Sequence, residues 1–113
     1  MANRRMLAVK IIESDEFCSM SISAQALYIH LIMNADDDGA VDNWQSIIRY
    51  LPIRRDSLKR LLDMELVDFL PSGALLITDW LYHNKIRGDR YTPGRHRAEL
   101  EAFQISDNKR YYR

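Results

Sequence analysis

Pro52 stands between two short apolar stripes, and only a tight helical corner accommodates both. Trp44, Ile47, Ile48 and Leu51 repeat at helical spacing. A helix is therefore expected from Trp44 to about Leu51, capped by Asn43 or Asp42. Pro52 ends it, having no N–H and turning Leu51 away from helical dihedrals. Leu58, Leu61 and Leu62 mark the inner face of the next helix, from about Arg54 to Met64. Arg55, Lys59 and Arg60 then point outward. Two short helices joined so closely cannot overlap as an antiparallel pair, but they suit a helix-turn-helix.

The flanking segments extend this pattern. Ala24, Leu27, Tyr28, Leu31, Ile32 and Ala35 form one helical stripe, with Ser21 or Ser23 as its cap. That helix stops at Asp36-Asp37-Asp38-Gly39, where Gly39 can take positive φ. Ser14 to Met20 reads as a helical turn capped by Ser14, and residues 5–12 as an extended lead-in or a short strand. After the helix pair, Leu66–Phe69 and Ala74–Thr78 read as a β-hairpin around Leu70-Pro71-Ser72-Gly73. With a short strand near Val41, the order is helix, strand, helix, helix, strand, strand. The expected class is α+β, mostly helical: a winged helix-turn-helix with a hairpin wing and a basic C-terminal extension. Residues 1–95 are expected to form the domain. Residues 96–113 should add a short helix from Arg97 to Phe103 and a frayed basic tail.

At 113 residues the chain has the length of one domain. No apolar run approaches the roughly 18 residues of a membrane span, and no signal peptide is visible. Cys18 is the only cysteine, which excludes an internal disulfide and a four-thiolate zinc site. A bacterial cytoplasmic location is the expectation.

Sixteen acids balance sixteen bases, but they fall in blocks. Residues 1–12 carry +3, residues 13–48 carry −7, residues 49–60 carry +4, residues 61–84 carry −4 and residues 85–113 carry +4. The local field, rather than the net charge, therefore governs partners. The helix after Pro52 is leucine inside and cationic outside, which suits insertion into the major groove of DNA. A solvated surface helix would show the same charge. The strip from Trp80 to Arg95 interleaves Lys85, Arg87, Arg90 and Arg95 with Tyr82 and Tyr91, and can track phosphates. The candidate DNA contacts are Arg49, Arg54, Arg55, Ser57, Lys59, Arg60, Lys85, Arg87, Arg90 and Arg95. The helix would enter the major groove, with a basic wing and tail on phosphates.

Other chemistry finds little footing. Counting twelve positions from Asp36 reaches Ile47, so the triplet is not an EF-hand loop. The aspartates read better as turn formers than as metal ligands. His30, His83 and His96 have no ligand spacing, and His30 is expected at the edge of the core. No phosphate-cradling glycine loop is present. No catalytic residue, cofactor or metal is expected.

Two separated motifs carry a family resemblance. The run Ser23-Ala24-Gln25-Ala26-Leu27-Tyr28-Ile29-His30-Leu31, followed by Ala35-Asp36-Asp37-Asp38-Gly39-Ala40-Val41, resembles the N-terminal domain of phage replisome organisers, the DnaD-like replication initiation proteins. Trp80, then Asn84-Lys85-Ile86-Arg87-Gly88-Asp89-Arg90-Tyr91-Thr92-Pro93, looks like the end of the same domain. The resemblance covers about residues 5–95. It implies a winged helix that binds origin DNA in phage or prophage replication. The resemblance also implies self-association, and a replication helicase or loader as partner through a C-terminal region of longer members. The groove-sized helix suits duplex DNA, the more expected partner, while the aromatic-basic tail would suit stacking on single strands. Two alternatives stay open: a protein-interaction and oligomerisation module of the replisome, and a winged-helix transcription regulator.

Overall fold

The computed structural model describes residues 4–113. Two short helices, α1 (Val9–Ile12) and α2 (Asp15–Cys18), lead into the long α3 (Ile22–Met33). The Ser14 and Ser21 hydroxyls cap α2 and α3 by accepting from Phe17 N–H and Ala24 N–H, each at 3.2 Å. Ala24, Leu27, Tyr28, Leu31 and Ile32 of α3 are buried, matching the stripe. The lead-in differs from the sequence expectation. Its residues up to Ala8 are not helical, but Val9–Ile12 closes a helical turn rather than a strand. A strand there would need a partner edge, whereas Ile12 N–H and Glu13 N–H bond Ala8 O and Val9 O within the turn itself.

Strand β1 (Ala40–Val41) precedes α4 (Trp44–Tyr50), α5 (Ser57–Asp63) and the hairpin of β2 (Val67–Phe69) and β3 (Leu75–Ile77). The sheet is antiparallel in the order β1-β3-β2, with Val41 opposite Leu75 and Phe69 opposite Leu75 on the other side. Leu75, Leu76 and Ile77 are all fully buried. Consecutive strand residues point to opposite faces, so both faces of β3 are covered. Pro52 follows α4 as expected. Asn43 precedes it but makes no side-chain cap. Its amide instead donates to Asn34 Oδ1 at 3.2 Å.

Helix α5 ends without glycine. Glu65 takes φ 58°, Glu65 N–H bonds Leu62 O, and Leu66 N–H bonds Leu61 O, both at 3.0 Å. This paired closure satisfies the last carbonyls of the helix and buries Leu66.

Beyond the sheet lie α6 (Trp80–His83), a 3-10 helix (Arg97–Ala102), and the small hairpin of β4 (Gln104–Ile105) and β5 (Tyr111–Tyr112). The expected frayed tail is corrected here. Leu100, Phe103 and Tyr111 join the same core as α3 and the sheet. Tyr111 N–H donates to Thr78 O at 2.8 Å, and Phe103 and Tyr111 meet edge to face at 6.4 Å. Three buried apolar side chains and a backbone bond hold a segment whose sequence has no regular period.

Candidate nucleic-acid interface

The α4–α5 corner displays its cations as the sequence implies. Arg49, Arg54, Arg55, Lys59 and Arg60 are exposed. Behind them Ile47 and Leu61 are fully buried, and Leu58 and Leu62 are half-buried against the core. Lys59 pairs with Asp63 at 2.9 Å and Arg54 with Asp56 at 3.4 Å, both at the surface, where such pairs hold little energy. Arg55 and Arg60 have no ion-pair partner among the described residues. Ser57 leaves the candidate set. It is 1% exposed on the inner side of α5, and its hydroxyl has no hydrogen-bond partner among the described residues.

The hairpin wing is also corrected. Residues 67–77 contain no Lys or Arg, so the β2–β3 hairpin, expected as a basic wing, is not basic. Its tip is tied down rather than free. Trp44 Nε1–H donates to Gly73 O at 2.9 Å, and Ser72 N–H donates to Glu99 at 2.7 Å. The cations expected of a wing come instead from the segment after α6.

That segment closes on the aspartate triplet. Asp36 Oδ1 accepts from Asp38 N–H at 2.9 Å and Ala40 N–H at 3.0 Å, the turn-forming role expected of it. Burial raises the Asp36 pKa although the two N–H bonds oppose this. Asp37 accepts from Arg5 and from Thr92 N–H, each at 3.0 Å. Burial works against its charge, but these bonds and the guanidinium prevail and hold its carboxyl below the usual range. Asp38 accepts from Gly94 N–H at 2.8 Å, from Arg97 at 3.2 Å and from the Tyr91 hydroxyl. Burial and this carboxylate push the Tyr91 pKa up to about 12. The triplet is thus a clasp that joins Arg5 of the N-terminal arm to residues 91–97, a role the sequence shows only as turn formation. Among the described residues, no group of three or more acidic, histidine or cysteine side chains is placed to hold a metal.

The clasp sets one wall of a cleft of about 650 Å³, lined by Arg4, Arg5, Met6, Asp37, the run from Asn84 to Arg87, Arg90 and Thr92. Lys85, Arg87 and Arg90 line it, and no cation of α4 or α5 does. Arg95 lies outside the cleft, exposed, 4.0 Å from Asp42. The ten candidate positions therefore divide into a helical group, a cleft group, the isolated Arg95 and the buried Ser57. Arg4 and Arg5 were legible only as a basic start to the chain.

The histidines differ from one another. His30 is exposed, not at the core edge, because it lies off the α3 stripe. His83 is 3% exposed and meets Ala8 N–H and the Tyr28 hydroxyl. His96 is buried between two carboxylates, with Nε2 2.5 Å from Asp42 and Nδ1 against Glu99. Burial favours its neutral ring, but hydrogen bonds to Asp42 and Glu99 outweigh this and raise its pKa. A raised pKa makes this contribution complete below the unfolded value of about 6.5 and lost as pH rises through the folded value. His96→Gln should cost about 1–2 kcal/mol near pH 6 and progressively less above it, read from urea midpoints across pH. An equal cost at high pH would mean that the ring is held as a neutral group.

Comparison of the chain with protein-family models, with curated proteins and with solved structures finds no match. No helix of the described residues is long and apolar enough to cross a membrane.

Proposed function

We propose that this chain is a winged-helix DNA-binding domain that works in phage replication initiation, with α5 as the helix that enters the major groove. The carrying observation is the construction of α5. It follows a proline-limited corner, rests on Leu61, and presents Lys59 and Arg60 to solvent, with Arg55 exposed in the turn that leads into its start at Ser57 rather than on the helix expected from Arg54. The order α3, β1, α4, α5, β2, β3 and the sheet order β1-β3-β2 match a winged helix and support this reading. Arg contacts guanine by two parallel hydrogen bonds, and Lys supplies a mobile point charge to phosphates. Arg49 and Arg54 flank the helix as further phosphate contacts. The replication role rests on the two motifs at 23–41 and 80–93, and a helicase or loader is the partner it implies.

A salt series on duplex DNA tests the reading. Four to six phosphate contacts give a slope of log affinity against log salt of roughly −4 to −5. Replacing Arg55, Lys59 and Arg60 together by Ala should flatten the slope by about 2 to 3 and weaken binding at least about tenfold. A folded triple variant with unchanged affinity would remove α5 from the interface.

One observation favours the interaction-module reading. Ile22 and Val9 are 78% and 74% exposed, large apolar side chains left to solvent. A concentration-dependent sedimentation mass that is insensitive to the α5 substitutions is the result which that reading requires.

A further inference from the structure

The cleft between the N-terminal arm and the loop after α6 has a use that α5 does not explain. Its walls are held in place from within. Met6 N–H donates to Asn84 Oδ1 at 2.8 Å, and Asn84 Nδ2–H donates back to Met6 O at 3.2 Å. The Arg5 side chain is 3% exposed. Its guanidinium donates to Asp37 at 3.0 Å and to Ala35 O at 2.8 Å, and it lies over the Trp80 ring at 5.1 Å. The arm and the loop are therefore braced before any ligand arrives.

The charge of the cleft is one-sided. Arg4, Lys85, Arg87 and Arg90 are exposed on its lining. Among the described residues the only acid of the lining is Asp37, and it is already engaged by Arg5 and by Thr92 N–H. Asp89 meets Arg87 at 3.3 Å, but both are solvent-exposed, so that pair is easily exchanged for a phosphate. Met6 and Ile86 add apolar surface between the cations.

Shape selects among anionic ligands. A duplex is read by a convex element entering a groove about 12 Å wide, and this site is concave. A small anion gains affinity from near-complete burial, and this lining is largely exposed. Repeated charges along a thin, flexible chain fit an open basic cleft with apolar patches.

We propose that this cleft binds the sugar–phosphate backbone of single-stranded DNA, with Arg4, Lys85, Arg87 and Arg90 as its phosphate contacts, separately from the duplex contacts of α5. The inference rests on the reading that the chain works on DNA, and it adds a second strand path to it. Such a path would hold one strand as a neighbouring duplex opens.

The test uses the full chain with two labelled probes, an oligothymidylate of about 15 nucleotides and a mixed-sequence duplex. Replacing Lys85, Arg87 and Arg90 together by Ala should lower single-strand affinity at least about tenfold and flatten its salt slope by about 2. Duplex affinity should change less than about twofold. The Arg55, Lys59 and Arg60 triple variant should do the reverse. All six side chains are exposed, and circular dichroism checks that both variants fold. Single-strand affinity unchanged in the cleft variant overturns the proposal, even if duplex binding through α5 stands. Equal losses on both probes also overturn it, since the two sets would then form one surface. Tripolyphosphate is the third arm. Tight binding of it that the oligothymidylate cannot displace would make the cleft a site for free polyphosphates and overturn the single-strand assignment.

Discussion

Gly39→Ala is expected to destabilise the chain by about 3 kcal/mol or more. Two costs add. Gly39 has φ 90°, a conformation that costs a residue with a Cβ about 1–2 kcal/mol. An added Cβ would also lie 2.5 Å from Trp80 Cγ and 2.6 Å from Trp80 Cβ. Trp80 cannot retreat. It is fully buried, and its Nε1–H donates to Asp37 O at 2.9 Å. Neither can Gly39, whose carbonyl accepts from Ile77 N–H at 2.9 Å. Trp80→Phe in the same background should give no rescue, because its Cβ and Cγ stay where the overlap is. Urea unfolding of the wild type and the two variants measures this. A Gly39→Ala midpoint close to wild type would show that α6 does not seat against this turn.

Acid should unfold the chain in a window set by His83. Ala8 N–H donates to Nδ1 at 2.8 Å, so Nδ1 carries a lone pair and the proton sits on Nε2, which donates to the Tyr28 hydroxyl at 2.7 Å. A second proton would face the Ala8 N–H head-on. Burial pushes the His83 pKa down to about 4 from 6.5. A lowered histidine pKa means that the unfolded chain binds the proton first. The contribution is complete above 6.5 and lost as pH falls towards 4. The shift corresponds to about 3 kcal/mol. His83→Gln should lower stability at pH 7 and flatten the loss between about pH 6.5 and 4. Tyr28→Phe, which strands the Nε2–H, should cost about 1–3 kcal/mol at neutral pH. Wild-type urea midpoints that stay level across this window would sink the assignment. Asp37 and Glu99, whose carboxyls are held below their usual range, lose their contributions in a more acidic window.

The two histidines show where sequence reading stops. His83 and His96 look alike in the sequence, each isolated from any ligand partner. The fold gives one an amide donor and a hydroxyl, and the other two carboxylates. Their pKa shifts therefore run in opposite directions. Ala8, Tyr28 and Asp42 lie 54 or more residues from the histidine each one meets, a separation no local pattern carries.

What the sequence determined by itself was the helical and strand order from Ser21 to Ile77. There the 3.6-residue stripe of α3, the proline after α4 and the Gly73 turn each act within a few residues. The outward cations of α5 follow from the same periodicity, since an inner leucine face fixes the outer one. The tertiary structure alone decided three things. It turned Val9–Ile12 into a helical turn, where the Ile12 and Glu13 N–H groups are satisfied within the turn itself. It bound the chain after α6 to the aspartate triplet, through bonds from Tyr91, Thr92, Gly94 and Arg97 that span more than 50 residues. It also set the cations of 85–90, and none of α4 or α5, around a cleft beside the N-terminal arm, where Met6 and Asn84 bond each other. Burial, long-range pairing and the local field depend on which segments meet, and a one-dimensional pattern holds no record of that.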